Sequence, residues 1–305
     1  MLRPRLRIPR ASRLWCPAIS CRPTIPCRQI HHVPPLKQFD PEEGVPNLLS
    51  PQGFDIAWTQ YMQYIIERLN ATTAGTEFEG QEPLSILKAT AREPSQAPIF
   101  NYASMAHNNA LFFENIANVT RQSQEGEGDA SEDRIPHGLK HLLVTQFSSI
   151  ETLRREFLVT AMGMFGPGFV WLVKNANTTD LRILVTYLAG TPYTAGHWRR
   201  QGLDMNTQGI NSPTTTVSWF ERAKTGAGAD NGARFIPQNQ TAPGGLDTIP
   251  LLCLNTWEHV WLCDYGVGAG GIGGKKEYVQ RWWDVIDWEK VENLAQIHKV
   301  PPKMK

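Results

Sequence analysis

The chain has 305 residues, with 30 Lys and Arg against 29 Asp and Glu, and 41% of its residues are hydrophobic. This length supports one large or two small domains, and ten Trp and twelve Phe argue against disorder throughout. The even charge balance excludes a polybasic nucleic-acid binder as a description of the whole chain. No run approaches about 18 consecutive apolar residues, so we expect a soluble protein without a membrane-spanning helix.

The N-terminal segment 1–32 is strongly basic. It contains seven Arg and no acid, and the first acidic residue is Asp40. Such Arg-rich, acid-free N-termini are typical of mitochondrial transit peptides, and we predict a transit peptide here and a location in the mitochondrial matrix. The alternative is a basic arm that is retained and contacts RNA phosphates. Without this segment the chain has 23 basic and 29 acidic residues and is therefore acidic.

Helical patterns dominate the first half of the body. Ser50 followed by Pro51 is typical of a helix N-cap and first helical position. Apolar residues from Phe54 to Leu69 recur every three or four positions, which predicts a helix ending near Asn70. Further helices are predicted at Ala103–Ile116, at Gly138–Phe147 and after a capping-box match at Ser148–Glu151.

Three β-rich runs follow, at Phe169–Val173, Leu181–Tyr187 and Ile249–Leu254. Helices first and a small sheet second favour an α+β fold over alternating β-α-β units. Cys253 and Cys263 each lie in an apolar run, and we expect two buried thiols, not a disulfide.

A long polar insertion, 191–245, separates the second and third strands. A connection of about 55 residues without predicted structure is usually functional or disordered. Basic residues among aromatic ones indicate contact with RNA or a protein partner, and an inactive surface loop is the alternative. The basic residues of this candidate contact surface are Arg199, Arg200, Arg222, Lys224 and Arg234.

The glycine-rich segment Gly268–Gly273 matches G-x-G-x-x-G, the pattern of dinucleotide-binding loops. The residues before it, Trp257–Tyr265, have a helical pattern, so the strand that this motif needs is missing. We therefore predict a flexible loop without a cofactor.

One segment resembles a known family in detail. Residues Leu251–Tyr265 contain Trp257-Glu258-His259 and are followed by a predicted helix that runs from Tyr278 into Trp288. This block is similar to the C-terminal block of the iron/manganese superoxide dismutases, L-L-x-x-D-x-W-E-H-A-Y-Y-x-x-Y. Weaker matches in family order begin at Val33–Leu36 and include Phe100–Ala103, Phe147–Phe157 and Gly166–Val173.

The resemblance implies an N-terminal helical hairpin domain at 33–120 and a C-terminal α+β domain at 137–290. The latter would hold a three-stranded antiparallel sheet with helices, and residues 291–305 would form a basic tail. In this family an iron or manganese ion lies between the two halves, bound by three His and one Asp.

The resemblance also implies that most of the metal ligands are absent. The four ligand positions correspond to Ala57 (or its neighbour Trp58), Asn109, Asn255 and His259, so only the last keeps the family's residue. Imidazole nitrogens and a carboxylate hold a trivalent redox metal, and neutral amides replace them poorly. We therefore predict no metal, no cofactor and no catalytic residue.

Glu258 and His259 are retained, and in the family this Glu bonds across the dimer axis to the partner's ligand His. The resemblance therefore implies a dimer interface at these two residues; a core histidine within one chain is the alternative.

A superoxide dismutase fold that lacks its metal and carries a mitochondrial transit peptide resembles the superoxide-dismutase-like proteins of the fungal mitochondrial small ribosomal subunit. This implies a structural protein whose partners are a sibling subunit or itself, other ribosomal proteins and limited rRNA. The alternatives are an active dismutase or an inactive subunit that modulates one.

Overall fold

The computed structural model describes residues 30–91, 93–117, 134–176, 178–193 and 248–296. The predicted transit peptide up to residue 29, most of the 191–245 insertion and the last nine residues lie outside these ranges. Across the described ranges, no helix is both long and apolar enough to cross a bilayer.

The N-terminal region is a hairpin of helices with an additional short helix between its two arms. Its elements are α1 (Pro51–Phe54), a π-helical turn (Asp55–Gln60), α2 (Tyr61–Thr73), α3 (Pro83–Thr90), a short 3-10 turn (Pro94–Gln96) and α4 (Ala97–Glu114). Helix α4 packs against both α2 and α3.

The start of the first helix is as predicted, but its end is not. The Oγ of Ser50 accepts a hydrogen bond from the backbone N–H of Gly53 at 3.0 Å, and Pro51 occupies the first helical position. The helix continues past Asn70 to Thr73, where the backbone leaves the helical conformation at Ala74. The side chain of Asn70 accepts a hydrogen bond from the backbone N–H of His31 at 2.8 Å.

The second arm begins earlier than predicted, since α4 starts at Ala97 and not at Ala103. The sequence analysis did not predict α3, which has only eight residues. Its buried Ile86 and Leu87 pack against α4, so tertiary contacts stabilise a segment that is too short to form a helix alone.

Two helices lead from the hairpin to the sheet, α5 (His137–Phe147) and α6 (Ile150–Gly163). The predicted capping box is displaced by one residue. Ser148 has a positive φ of 70° and ends the first helix. Ser149 is the N-cap of α6, and its Oγ accepts from the backbone N–H of Thr152 at 3.0 Å.

The sheet confirms the predicted α+β fold. Its strands are β1 (Gly168–Asn175), β2 (Leu181–Tyr187) and β3 (Thr248–Asn255), in the order β2-β1-β3 with both pairs antiparallel. The central strand β1 is buried along nearly its whole length. The register between β1 and β3 shifts between Leu172 and Val173, opposite Pro250, which has no N–H to donate. The insertion connects β2 to β3 in the sequence.

The last three helices are α7 (Glu258–Tyr265), α8 (Gly274–Asp284) and α9 (Trp288–Ala295), with a single 3-10 turn (Ala269–Gly271) in the glycine-rich loop. The prediction that one helix runs into Trp288 is wrong, since Trp288 begins the next helix. The backbone between α8 and α9 bonds instead to the end of the hairpin. Ala117 N–H donates to the carbonyl of Val285, and Asp287 N–H donates to that of Asn115, both at 2.8 Å.

A single hydrophobic cluster joins the hairpin, the sheet and the last helices. Its largest buried side chains include Trp171, Trp282 and Trp283. Cys253 lies in this core as predicted, but the prediction for Cys263 is wrong, because that thiol is exposed on α7. Helix α9 ends at Ala295, so the segment predicted as a tail from 291 begins inside a helix.

Candidate functional site

Three of the four positions that correspond to family metal ligands lie together in the core. Ala57 is in the π-helical turn, Asn109 is in α4 and Asn255 is the last residue of β3. All three are completely buried. The fold therefore brings together one residue from each arm of the hairpin and one from the sheet.

These residues are joined by hydrogen bonds. Asn255 Nδ2 donates to Asn109 Oδ1 at 3.0 Å, and Asn109 Nδ2 donates to the carbonyl of Ala57 at 3.2 Å. Asn255 Oδ1 accepts from the backbone N–H of Trp257 at 2.9 Å. The backbone carbonyl of Asn255 accepts from the hydroxyl of Tyr278 at 2.8 Å. The polar atoms of both amides are therefore satisfied by protein partners.

His259, the retained ligand position, is largely buried but outside this chain of bonds. Its ring is stacked on Tyr61 of α2, with centroids 3.9 Å apart and an interplanar angle of 23°. Its Nε2 is buried without a hydrogen-bond partner. Burial lowers the pKa of His259 from 6.5 to about 4 and raises that of Tyr61, so both groups are neutral at pH 7.

The donors at this site do not fit a redox-active iron or manganese ion. Two are neutral amides that already bond to each other, one is an alanine, and only His259 offers an imidazole. Among the described residues, no group of three or more His, Cys, Asp or Glu is placed to hold a metal. A trivalent metal needs anionic and imidazole donors, which amide oxygens do not replace.

The positions around the site differ from the family in the same way. The family's glutamine that tunes the metal-bound water would come from position 105 or 182, which are the buried Met105 and the exposed Arg182. The resemblance also implies that a family tyrosine at the entrance to the metal site corresponds to Ile65, or to Tyr64 after a shift of one residue. Ile65 is buried, while Tyr64 is 47% exposed and lies under the guanidinium of Arg68.

Glu258 is on the surface, at the first position of α7 and next to His259. No described residue forms a hydrogen bond or an ion pair with its carboxylate, although it lies close enough to Lys275 to raise that residue's pKa slightly against the lowering effect of burial. Leu262, one turn further along α7, is 41% exposed. The dimer interface predicted for Glu258 and His259 therefore has one exposed member and one largely buried member.

His107 has a role that the sequence analysis did not identify. Its Nε2 is 2.7 Å from the hydroxyl of Tyr193, and the Oγ of Ser104 donates to the carbonyl of Ala189 at 2.7 Å. On the same helix, Asn108 Nδ2 donates to the carbonyl of Gly190 at 2.9 Å. Helix α4 thus holds the segment 189–193, where the insertion leaves β2. The predicted contact residues Arg199, Arg200, Arg222, Lys224 and Arg234 lie outside the described residues.

The sequence analysis also missed Tyr61 as a partner of His259, because it was read only as one apolar residue of a helix face. Its place opposite a histidine almost two hundred positions away depends on how α2 packs against the C-terminal region. The only available sequence signal was an aromatic residue with a polar group on a helix near the family's ligand position.

Comparison with known proteins supports the assignment of the fold. Residues 136–205 and 232–294 match the family of iron/manganese superoxide dismutases, C-terminal domain. The small ribosomal subunit protein mS43 of Schizosaccharomyces pombe is 27% identical over 270 residues, which cover 87% of this chain and 84% of that protein. Protein mS42 of the same subunit and organism is 25% identical, over 72% of this chain and 76% of that protein.

The chain is also similar to proteins that are named iron superoxide dismutase. The iron superoxide dismutase of Escherichia coli K12 is 23% identical over 248 residues, which cover 81% of this chain and 90% of that enzyme. That of Campylobacter jejuni strain 81-176 is 24% identical over 80% of this chain.

Proposed function

We propose that this chain is a structural protein of the mitochondrial small ribosomal subunit, built on the α+β fold of the iron/manganese superoxide dismutases. In this role the fold is a module for protein-protein contacts and carries out no redox reaction. The observation that carries the non-catalytic part of the proposal is the direct hydrogen bond between Asn109 and Asn255, 3.0 Å long, at two positions where the resemblance implies metal ligands.

The chemistry of that site argues against dismutation. The reaction requires a metal that alternates between two oxidation states, and the ligand set must stabilise the trivalent one. Loss of a residue that only supports a ligand costs about 10- to 100-fold in metal affinity. Three lost ligands at about 100-fold each would reduce affinity by about 10⁶, or about 8 kcal/mol.

The relatives support the ribosomal assignment. Both mS43 and mS42 are small ribosomal subunit proteins, and the match to mS43 covers a larger share of this chain than the match to the Escherichia coli dismutase. The mitochondrial part of the proposal also rests on the acid-free segment 1–32 with its seven Arg.

We further propose that the chain pairs with a second superoxide-dismutase-like subunit, either a sibling or another copy of itself. The support is the exposed carboxylate of Glu258, for which the described residues offer no hydrogen-bond or ion-pair partner, beside the exposed Leu262 and the largely buried His259. Contacts with rRNA would be limited, because the body without residues 1–32 has more acidic than basic residues. The arginines and the lysine of the insertion are the candidates for such contacts.

Sedimentation of a mitochondrial lysate tests the proposal. A tagged full-length chain should migrate with the small ribosomal subunit and co-purify with its proteins and rRNA. Migration away from ribosomal particles, in a complex with a genuine dismutase, would instead support the modulator alternative.

Metal analysis tests the absence of catalysis separately. Purified protein should contain far less than one iron or manganese per chain, and chelator treatment should not change its melting temperature. Stoichiometric metal together with superoxide dismutation would contradict the proposal and support the enzyme alternative.

A further inference from the structure

The residues that stand at the family's ligand positions also connect the two halves of this chain. We propose that Asn109 and Asn255 form a directional hydrogen-bonded link that takes over the metal's place in fastening the hairpin to the sheet. The link runs from the carbonyl of Ala57, through both side-chain amides, to the backbone N–H of Trp257. This inference concerns the stability of the chain and does not depend on its ribosomal role.

The direction of the link is fixed from both ends. A backbone N–H can only donate, so the atom of Asn255 that faces Trp257 must be Oδ1. Nδ2 of Asn255 then points to Oδ1 of Asn109, which leaves Nδ2 of Asn109 to face the carbonyl of Ala57. That carbonyl can only accept, so the same orientation of both amides is obtained from the other end.

This arrangement explains why both residues are asparagine. A link between a backbone acceptor and a backbone donor needs two groups in series that each donate at one end and accept at the other. A carboxylate at position 255 would place one of its oxygens next to Oδ1 of Asn109. Both atoms are acceptors, so no hydrogen bond could form between them. If Asn109 then rotated its amide, its oxygen would face the carbonyl of Ala57. The ionised form of the family's acid would therefore leave one buried acceptor without a donor, and its protonated form could donate only at the free-energy cost of holding a proton at pH 7.

Burial makes the link important for stability. Asn109 and Asn255 have no solvent exposure, so water cannot replace a bond that is lost. The link also crosses the interface between α4 and β3, two elements from different halves that pack directly on each other. Another junction between the halves is the backbone pairing of Ile116 with Ile286.

A double-mutant cycle tests the link. N109A leaves the carbonyl of Ala57 and Nδ2 of Asn255 without partners, and N255A leaves the N–H of Trp257 and Oδ1 of Asn109 without partners. Each variant should unfold at lower denaturant concentration than the parent. In N109A/N255A neither unpaired side-chain atom is present, because both amides are gone. The folding equilibrium constant of the double variant should therefore fall by a factor about 2-fold to 100-fold smaller than the product of the two factors measured for the single variants.

Asn115 provides the matched control. It is equally buried, follows α4 and donates to the carbonyl of Leu251 on β3, so it also joins the two halves. Since it bonds to neither Asn109 nor Asn255, the losses in N115A/N255A should multiply. A cycle for N109A/N255A that is multiplicative to within about 2-fold, like this control, would overturn the proposal.

N255D separates the link from a latent metal site. With the chain and its other residues unchanged, N255D should have a lower melting temperature than the parent, both in chelator and with added manganese or iron. A melting temperature that rises above the parent's when manganese is added would show that the pocket accepts a metal, and would contradict the link.

A measurement on the unchanged protein covers the case in which these variants do not fold. In protein labelled with nitrogen-15 at asparagine, the side-chain amide hydrogens of Asn109 and Asn255 should exchange with solvent far more slowly than those of the exposed Asn47. Exchange as fast as that of Asn47 would rule out the link.

Discussion

The imidazole of His259 is stacked on the phenol ring of Tyr61, and this contact ties the retained ligand position to the hairpin. In a metal-binding relative this imidazole would face the metal. Here its Nε2 has no hydrogen-bond partner and its pKa is lowered by burial, so the ring behaves as an aromatic group of the core. The resemblance implies a metal ligand at this position, whereas here the ring packs against Tyr61.

Acid should destabilise the protein through two buried histidines. Burial lowers the pKa of both His259 and His107 from 6.5 to about 4. Between these values the unfolded chain binds more protons than the folded one, so stability is complete above about pH 6.5 and falls toward pH 4. Each histidine contributes a slope of up to about 1.4 kcal/mol per pH unit. Denaturant unfolding between pH 7.5 and 4.5 measures it.

Protonation of carboxylates can also make the unfolding free energy fall as the pH falls. A variant without His259 is therefore needed to separate the contribution of the histidine. H259Q removes one of the titrating groups, and its unfolding free energy should depend less steeply on pH than that of the parent. Equal slopes for the two proteins between pH 6.5 and 4.5 would contradict the assignment to His259.

Removing the aromatic ring of Tyr61 should weaken the junction between α2 and α7. Y61L loses the stack on His259, and aromatic pairs contribute about 0.5–1.5 kcal/mol beyond their buried area. Y61F keeps the ring and should be close to the parent in stability. Chemical denaturation of the three proteins at pH 7.5 compares them, and equal losses for Y61L and Y61F would mean that the hydroxyl and not the stack is important.

Local sequence patterns predicted those helices and strands whose bounds depend on residues close together in the sequence. The strand of Leu181–Tyr187 and the start of the first helix at Ser50 and Pro51 follow from side chains close in sequence. Errors arose where distant backbone was the cause. The break before Trp288 exists because residues 285–287 bond to residues 115–117, which no local pattern reveals.

The candidate site shows the same division. Its positions could be identified from the resemblance, and the structure does bring Ala57, Asn109 and Asn255 together. The bonds among them could not be predicted, because a missing ligand does not indicate what replaces it. Likewise, the contact of His107 with Tyr193 could not be predicted, because it depends on the path of the chain after β2.

The base of the insertion should be held by the hydroxyl of Tyr193. Y193F removes the partner of the part-buried His107 Nε2, and loss of this hydrogen bond should cost about 0.5–1.5 kcal/mol. The ring of Tyr193 is retained, so its contact with the ammonium of Lys88, 4.9 Å from the ring centroid, should persist. Y187F is the control, because Tyr187 is the last residue of β2, just before this segment, and is 52% exposed. Denaturant unfolding that gives equal stability for Y193F and Y187F would exclude this anchoring role.

Replacing Glu258 should weaken pairing with the second subunit without unfolding the chain. Its side chain is exposed and unpaired among the described residues, so E258A should have the same melting temperature as the parent when monomeric. If the carboxylate is desolvated against a partner, its truncation costs about 2–5 kcal/mol, which is about 30-fold to several thousand-fold in the dissociation constant.

E289A is the matched control, since Glu289 is also an exposed first-turn glutamate, at the start of α9. Sedimentation equilibrium of the full chain with its co-purified partner measures the effect. An unchanged dissociation constant for E258A, or an equal loss in E289A, would remove Glu258 from the interface.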